Sequence, residues 1–236
     1  ANTDVFVHNV KNNFSLSDTL TQGGGRKIRS GPTFSPDNSF IAYAGGDGNV
    51  YIHDVGGNFP LTATVTDPED LRNAVRGDIG ISPNNSFLGY AKRFQDVYFH
   101  EVGGSFPFVT RRSDTGGFLT TVTTGVNFGP NNSFVAYGAT DGDVYIHDVG
   151  GNFSLNTKLS QLPSNTIVES LSFSPDGSFL AYGASDSTST VHIHDVGGSF
   201  PLNTTVNPAT GFDNTCEFSA GSDFLMVGIG NDNYNS

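Results

Sequence analysis

A chain of 236 residues and 24.9 kDa is long enough to bury a core, and a repeat architecture of that length forms one domain rather than two. Its 23 acidic against 11 basic residues, a formal net charge of −12, exclude general affinity for phosphate backbones, so nucleic acid is not an expected partner. One cysteine, Cys216, excludes an intrachain disulfide, and the longest apolar run, over 224–227, is far too short for membrane insertion.

The chain opens with two predicted strands, over 5–10 and 14–20, that belong to no preceding unit. A full unit follows. One strand ends at Phe34, Pro36-Asp37-Asn38 forms a turn, and a second strand covers 40–44. Gly45-Gly46-Asp47-Gly48 turns the chain into a third, alternating strand over 50–55; Gly56-Gly57 then supplies the positive φ of a tight hairpin, and 59–65 forms the fourth strand. In the opening half-unit Asn12-Asn13 stands where the glycines stand later, the next best residues for that backbone region.

The third-strand segment recurs five times, as VFVHNVKNNFSL, VYIHDVGGNFPL, VYFHEVGGSFPF, VYIHDVGGNFSL and VHIHDVGGSFPL, with His8, His53, His100, His147 and His194 spaced by 45, 47, 47 and 47 residues. Between these segments runs a second element: FSPDNSFIAYAG, ISPNNSFLGYAK, FGPNNSFVAYGA, FSPDGSFLAYGA and FSAGSDFLMVGI. Four short strands with apolar residues on both faces cannot bury themselves and must stack on neighbouring units. Radial stacking predicts an all-β, five-bladed β-propeller with four antiparallel strands per blade. Its blades cover 27–66, 77–112, 123–160, 167–207 and, last, 213–230 with 4–20. The N-terminal strands would thus complete the C-terminal blade and close the ring, protecting edges that would otherwise template aggregation.

FSPDGSFLAYG, together with the D-G-x-V-Y-I-H-D pattern at 47–54 (and D-G-D-V-Y-I-H-D at 141–148), resembles the WD-repeat family over the whole chain. Histidine stands where that family has tryptophan, and no glycine-histidine pair precedes each first strand, so the family's buried hydrogen-bond relay is not carried over. The resemblance implies a propeller fold.

Turn positions sort onto two faces. Glycosylation acceptor patterns fall at Asn13, Asn84, Asn131 and Asn152 in one set of turns and at Asn203 on an outer strand. With a chain that begins at Ala1 and has Met226 as its one methionine, they are read as signs of a trimmed, secreted, extracellular protein; a cytoplasmic one is the alternative. The opposite face carries the long loops 67–76 and 113–119. Residues 1–112 hold 10 basic and 11 acidic residues, whereas 113–236 hold 1 and 12. Arg72, Arg76, Lys92, Arg93, Arg111 and Arg112 therefore form a candidate electropositive sector for an acidic protein partner, or for the acidic half of another copy.

No cofactor is expected. Third strands lie roughly 10 Å outside the innermost ones at about 4.8 Å per strand. Ligands sit about 2 Å from a shared zinc, so five repeated histidines cannot converge on one and are read as packing residues with a satisfied ring nitrogen. No catalytic residue is assigned. The leading reading is a non-catalytic interaction or building-block module, including a self-assembling extracellular subunit. A lectin, binding glycans without tryptophan, and a glycosidase using Asp78, Glu169, Asp213 and Glu217 are the alternatives.

Overall fold

The computed structural model describes residues 4–21, 27–66, 75–92, 96–113, 120–162, 166–185, 190–207 and 213–230. Among the described residues every regular element is a β-strand apart from two short 3-10 turns. Four antiparallel blades run in chain order: β3 (Thr33–Phe34), β4 (Phe40–Ala44), β5 (Val50–Asp54) and β6 (Leu61–Val65); β7 (Val75–Ile81), β8 (Phe87–Lys92), β9 (Val97–Glu101) and β10 (Phe108–Arg112); β11 (Asn127–Phe128), β12 (Phe134–Gly138), β13 (Val144–Asp148) and β14 (Ser154–Leu159); β15 (Ile167–Phe173), β16 (Phe179–Ser185), β17 (Val191–Asp195) and β18 (Leu202–Val206). Two hairpins flank them, β1 (Asp4–Asn9) with β2 (Ser15–Thr21) and β19 (Asp213–Phe218) with β20 (Leu225–Gly230), each a separate two-stranded sheet.

Register between second and third strands repeats from blade to blade. Phe40, Ile41, Ala42, Tyr43 and Ala44 face Asp54, His53, Ile52, Tyr51 and Val50, and the same five positions pair in the other three blades. Third and fourth strands slip by one residue at the histidine, between Ile52 and His53, Ile146 and His147, and Ile193 and His194. The first hairpin slips at the same place, between Val7 and His8. A bulge here re-aims one side chain, and that side chain is the histidine.

The fourth strand starts later than the sequence suggests, at Leu61 rather than Phe59. Phe59, Phe106, Phe153 and Phe200 all adopt positive φ, between 44° and 56°, as does Phe14. Such a conformation strains a bulky residue and persists where its surroundings compensate. Here the compensation is burial: Phe106, Phe153 and Phe200 are 7 %, 1 % and 1 % exposed, each wedged edge-on against the preceding blade.

The first-to-second turns are held by serine and an acid or amide. Ser35 Oγ and the Ser39 amide donate to Asp37 Oδ1, while Ser35 Oγ accepts from the Phe40 amide. Ser82 with Asn84, and Ser174 with Asp176, repeat the arrangement. The serine hydroxyls, Ser39 first at Asp37 and Ser174 first at Asp176, hold both carboxyls below the usual carboxylate range, Asp37 well below it.

Apolar clusters lie between blades as well as within them. Val75, Ile79, Leu88 and Tyr90 of the second blade pack with Phe40, Ala42, Ile52 and Val65 of the first, and equivalent residues join second to third and third to fourth. The blades approach closely at the inner strands: the Val126 amide donates to the Asp78 carbonyl at 3.2 Å. A Cβ at Gly80 would collide with the Val126 carbonyl, and one at Gly125 with the Asp78 backbone. Only glycine permits that approach.

Candidate interaction surfaces

Each blade spends its histidine internally. His53, His100 and His147 are 4 %, 3 % and 0 % exposed, and each Nδ1 lies 2.7–2.9 Å from the carbonyl oxygen of the positive-φ phenylalanine six residues on. A carbonyl only accepts, so Nδ1 carries the proton and Nε2 is left as an acceptor. The hydroxyls of Tyr43, Tyr90 and Tyr137 donate to it at 3.2, 3.2 and 2.8 Å. The tyrosine–histidine–carbonyl relay thus ties second strand, third strand and turn together.

The fourth blade keeps half of this relay. His194 reaches the Phe200 carbonyl at 2.8 Å and stacks on Tyr182, but its Nε2 and the Tyr182 hydroxyl are both buried without a partner. Burial pushes the Tyr182 phenol well up and the His194 imidazole down. Among the described residues no group of three His, Cys, Asp or Glu is placed to hold a metal ion.

The six basic candidates do not form one surface. Arg72 and Arg93 lie outside the described residues. Lys92 is 1 % exposed, with its ammonium 5.1 Å from the centre of the Tyr98 ring, so it is a packing residue and not a docking group. The Arg112 guanidinium donates to the Asn152 carbonyl in the turn of the next blade, a tie between blades. Arg76 is exposed at the start of β7, and Arg111, 3.9 Å from Asp96, is exposed near the end of β10. Inner and outer strand of one blade, these two share the face of the second-to-third turns, about 14 Å apart at three strand spacings.

Asn13, Asn84, Asn131, Asn152 and Asn203 are all exposed. Asn13 and Asn152 take the left-handed conformation that their turns require. Asn84 and Asn131 occupy the Asp37 position and accept the Ser86 and Ser133 amides, while Asn203 donates to Asp195 at 2.7 Å. Each asparagine thus has a structural task that accounts for its presence.

Toward the axis, Asp78, Glu169 and Glu217 line one cavity of about 470 Å³ with Thr124, Asn127 and Cys216. The side chain of Asp213 lies outside the described residues. The described lining carries no aromatic ring and no histidine. Burial pushes the Cys216 thiol up to about 11.

Sequence reasoning missed the most exposed apolar surface. Phe6 and Phe14 on the first hairpin are 60 % and 66 % exposed, and Phe224 and Met226 at the last one are 74 % and 70 %. Their counterparts Tyr51, Phe153, Phe40 and Ala42 are 7 %, 1 %, 5 % and 0 % exposed. Aligning the repeats position by position was signal enough to find them, because the hairpins carry blade-interior residues and lack a blade.

The family model "WD domain, G-beta repeat" matches residues 27–54 and 156–195. The second match runs from β14 through β17, so the sequence unit straddles two blades, and both matches end on a His-Asp pair. No curated protein matches the sequence. The structure matches 1416 solved chains. One of them, from the crystal structure of the mitotic checkpoint complex, superposes with a TM-score of 0.79 at 19 % identity, over 97 % of this chain. This chain spans 65 % of the length of that one.

Proposed function

We propose that this WD-repeat-like propeller is a non-catalytic protein-interaction scaffold of five blades, the fifth made from β19–β20 and β1–β2. The observation that carries the reading is where the repeat's polar side chains go. Histidine, tyrosine, serine and turn acid are consumed in holding blades and turns together. A rigid ring of sheets with variable loops is suited to recognition rather than to chemistry.

The docking face is the one bearing Arg76, Arg111 and the connections that follow fourth strands, and its partner is an acidic protein segment. We assign the protein to the extracellular space, with glycans on some of Asn13, Asn84, Asn131, Asn152 and Asn203 shielding the other face. A carbohydrate-binding or glycan-cleaving role is the second reading, favoured by the three carboxylates around the axial cavity. Parallel arrays separate the two. Retention of oligo-glutamate peptides that falls with salt and with Arg76→Glu and Arg111→Glu supports the docking face. Binding to a glycan array with no response to acidic peptides would overturn it.

A further inference from the structure

Each complete blade pairs its second strand with its third in one fixed register, and two strands are left without such a partner. By the repeat β20 is a second strand and β1 a third strand, and among the described residues each pairs in a sheet with its own hairpin mate alone. Carried onto them, the register of the other blades places Phe224 opposite Asn9, Leu225 opposite His8, Met226 opposite Val7, Val227 opposite Phe6 and Gly228 opposite Val5. The exposed Phe6 and Met226 would both be covered by that one pairing.

The aromatic wedges give a second, independent assignment. Phe106 meets Phe40 at 5.6 Å and 84°, Phe153 meets Phe87 at 5.1 Å and 86°, and Phe200 meets Phe134 at 5.0 Å and 80°. In each case the positive-φ phenylalanine of one blade stands edge-on to the first phenylalanine of the preceding second strand. By the same rule Phe14 belongs against Phe179, and Phe59 against Phe224. Phe14 and Phe224 are the two mostly solvent-exposed members of those pairs.

In the structure the chain's own ends do not satisfy each other: all four seam residues are at least 60 % exposed. Bringing them together would require every blade-to-blade interface to turn further. Of those interfaces, the one between the second and third blades is already in contact at the backbone, where Gly80 and Gly125 leave no room for even a Cβ. A second copy needs no such change.

We propose that the hairpin β1–β2 of one copy seats on β19–β20 of another, so that the fifth blade forms between copies. The proposal rests on reading the two hairpins as one blade. The joined surfaces are unlike, so association runs head to tail and need not stop at two. Blade five also lacks the relay hydroxyl, because Val227 stands at the tyrosine position, which leaves this junction held by strand pairing and the aromatic wedges.

Cysteine pairs test it in a Cys216→Ser background. Val7→Cys and Met226→Cys copies, mixed and mildly oxidised, should give a cross-linked species of twice the mass that neither gives alone, and the double variant should give a ladder. A double variant that cross-links only within a monomer, with no product from the mixture, would keep the blade and overturn its formation between copies. No cross-link in any sample would overturn the blade as well. Independently, Phe14→Ser should weaken association by about tenfold or more in sedimentation while leaving single-copy melting unchanged, since that ring is mostly in solvent. Equal association by the variant, or a lower single-copy melting temperature, would count against the proposal.

Discussion

Removing one hydroxyl tests the tyrosine–histidine–carbonyl relay directly, because the fourth blade supplies an internal control. In Tyr137→Phe the ring and its packing remain, but His147 Nε2, on a side chain 0 % exposed, loses its donor at 2.8 Å. Leaving a buried acceptor unsatisfied costs about 1–3 kcal/mol. For a chain of this size each kcal/mol lowers the melting temperature by about 2–4 °C, so the variant should melt roughly 2–12 °C lower. Tyr182→Phe removes the corresponding oxygen where it has no partner and is equally buried. That variant loses a desolvation penalty and no bond, and should melt at the same temperature or above. Thermal melts of both variants in one buffer, supported by urea midpoints, give the comparison. Equal losses in the two would show that the phenols act by shape alone, and the relay would have no energetic content.

Gly80→Ala should destabilise by about 1–3 kcal/mol in urea titrations, since its methyl would meet the Val126 carbonyl and force the second and third blades apart; an unchanged midpoint would refute that approach. Cys216, with its thiol pushed up to about 11 by burial, should resist alkylation at pH 8 in the folded protein and react at once in denaturant. Native and denatured mass spectra would report it. For His194 burial lowers the folded pKa beneath the ordinary 6.5, so the unfolded chain takes up a proton first as pH falls. Its contribution to stability is full above that pH and is lost below it. Urea midpoints from pH 8 to 5 should fall more steeply for the parent protein than for His194→Gln.

Much of the blade was legible because the repeats compare themselves. The strand over 40–44 and the third strand from Val50 stand where glycine-rich turns and alternation put them; His53, His100, His147 and His194 are buried packing residues with Nδ1 satisfied, whereas His8 is exposed. Phe59 was misplaced in a strand because nothing in its identity announces a positive φ; at the equivalent Phe106, Phe153 and Phe200 the ring that receives the wedge belongs to another blade, 66 residues earlier in the chain. Lys92 was read as a surface cation from its charge, whereas the Tyr98 ring and the end of β8 draw it inward. Arg112 was legible as a cation but not as a tie to the Asn152 carbonyl, since that contact depends on the angle between blades. The seam residues are the clearest case: the repeat marks Phe14 and Phe224 as interior positions, and only three-dimensional curvature says whether anything reaches them.

The fixed register of second and third strands also has a kinetic side. VYIHD occurs identically in β5 and β13, and β9 differs little, so any of these segments could in principle pair with any second strand. What selects the right one is proximity: only residues 45–49 separate β4 from β5, and 139–143 separate β12 from β13. Closing so short a loop is fast and entropically inexpensive compared with reaching across another repeat. A nascent chain can therefore set each blade as it emerges, before an identical competitor has been synthesised.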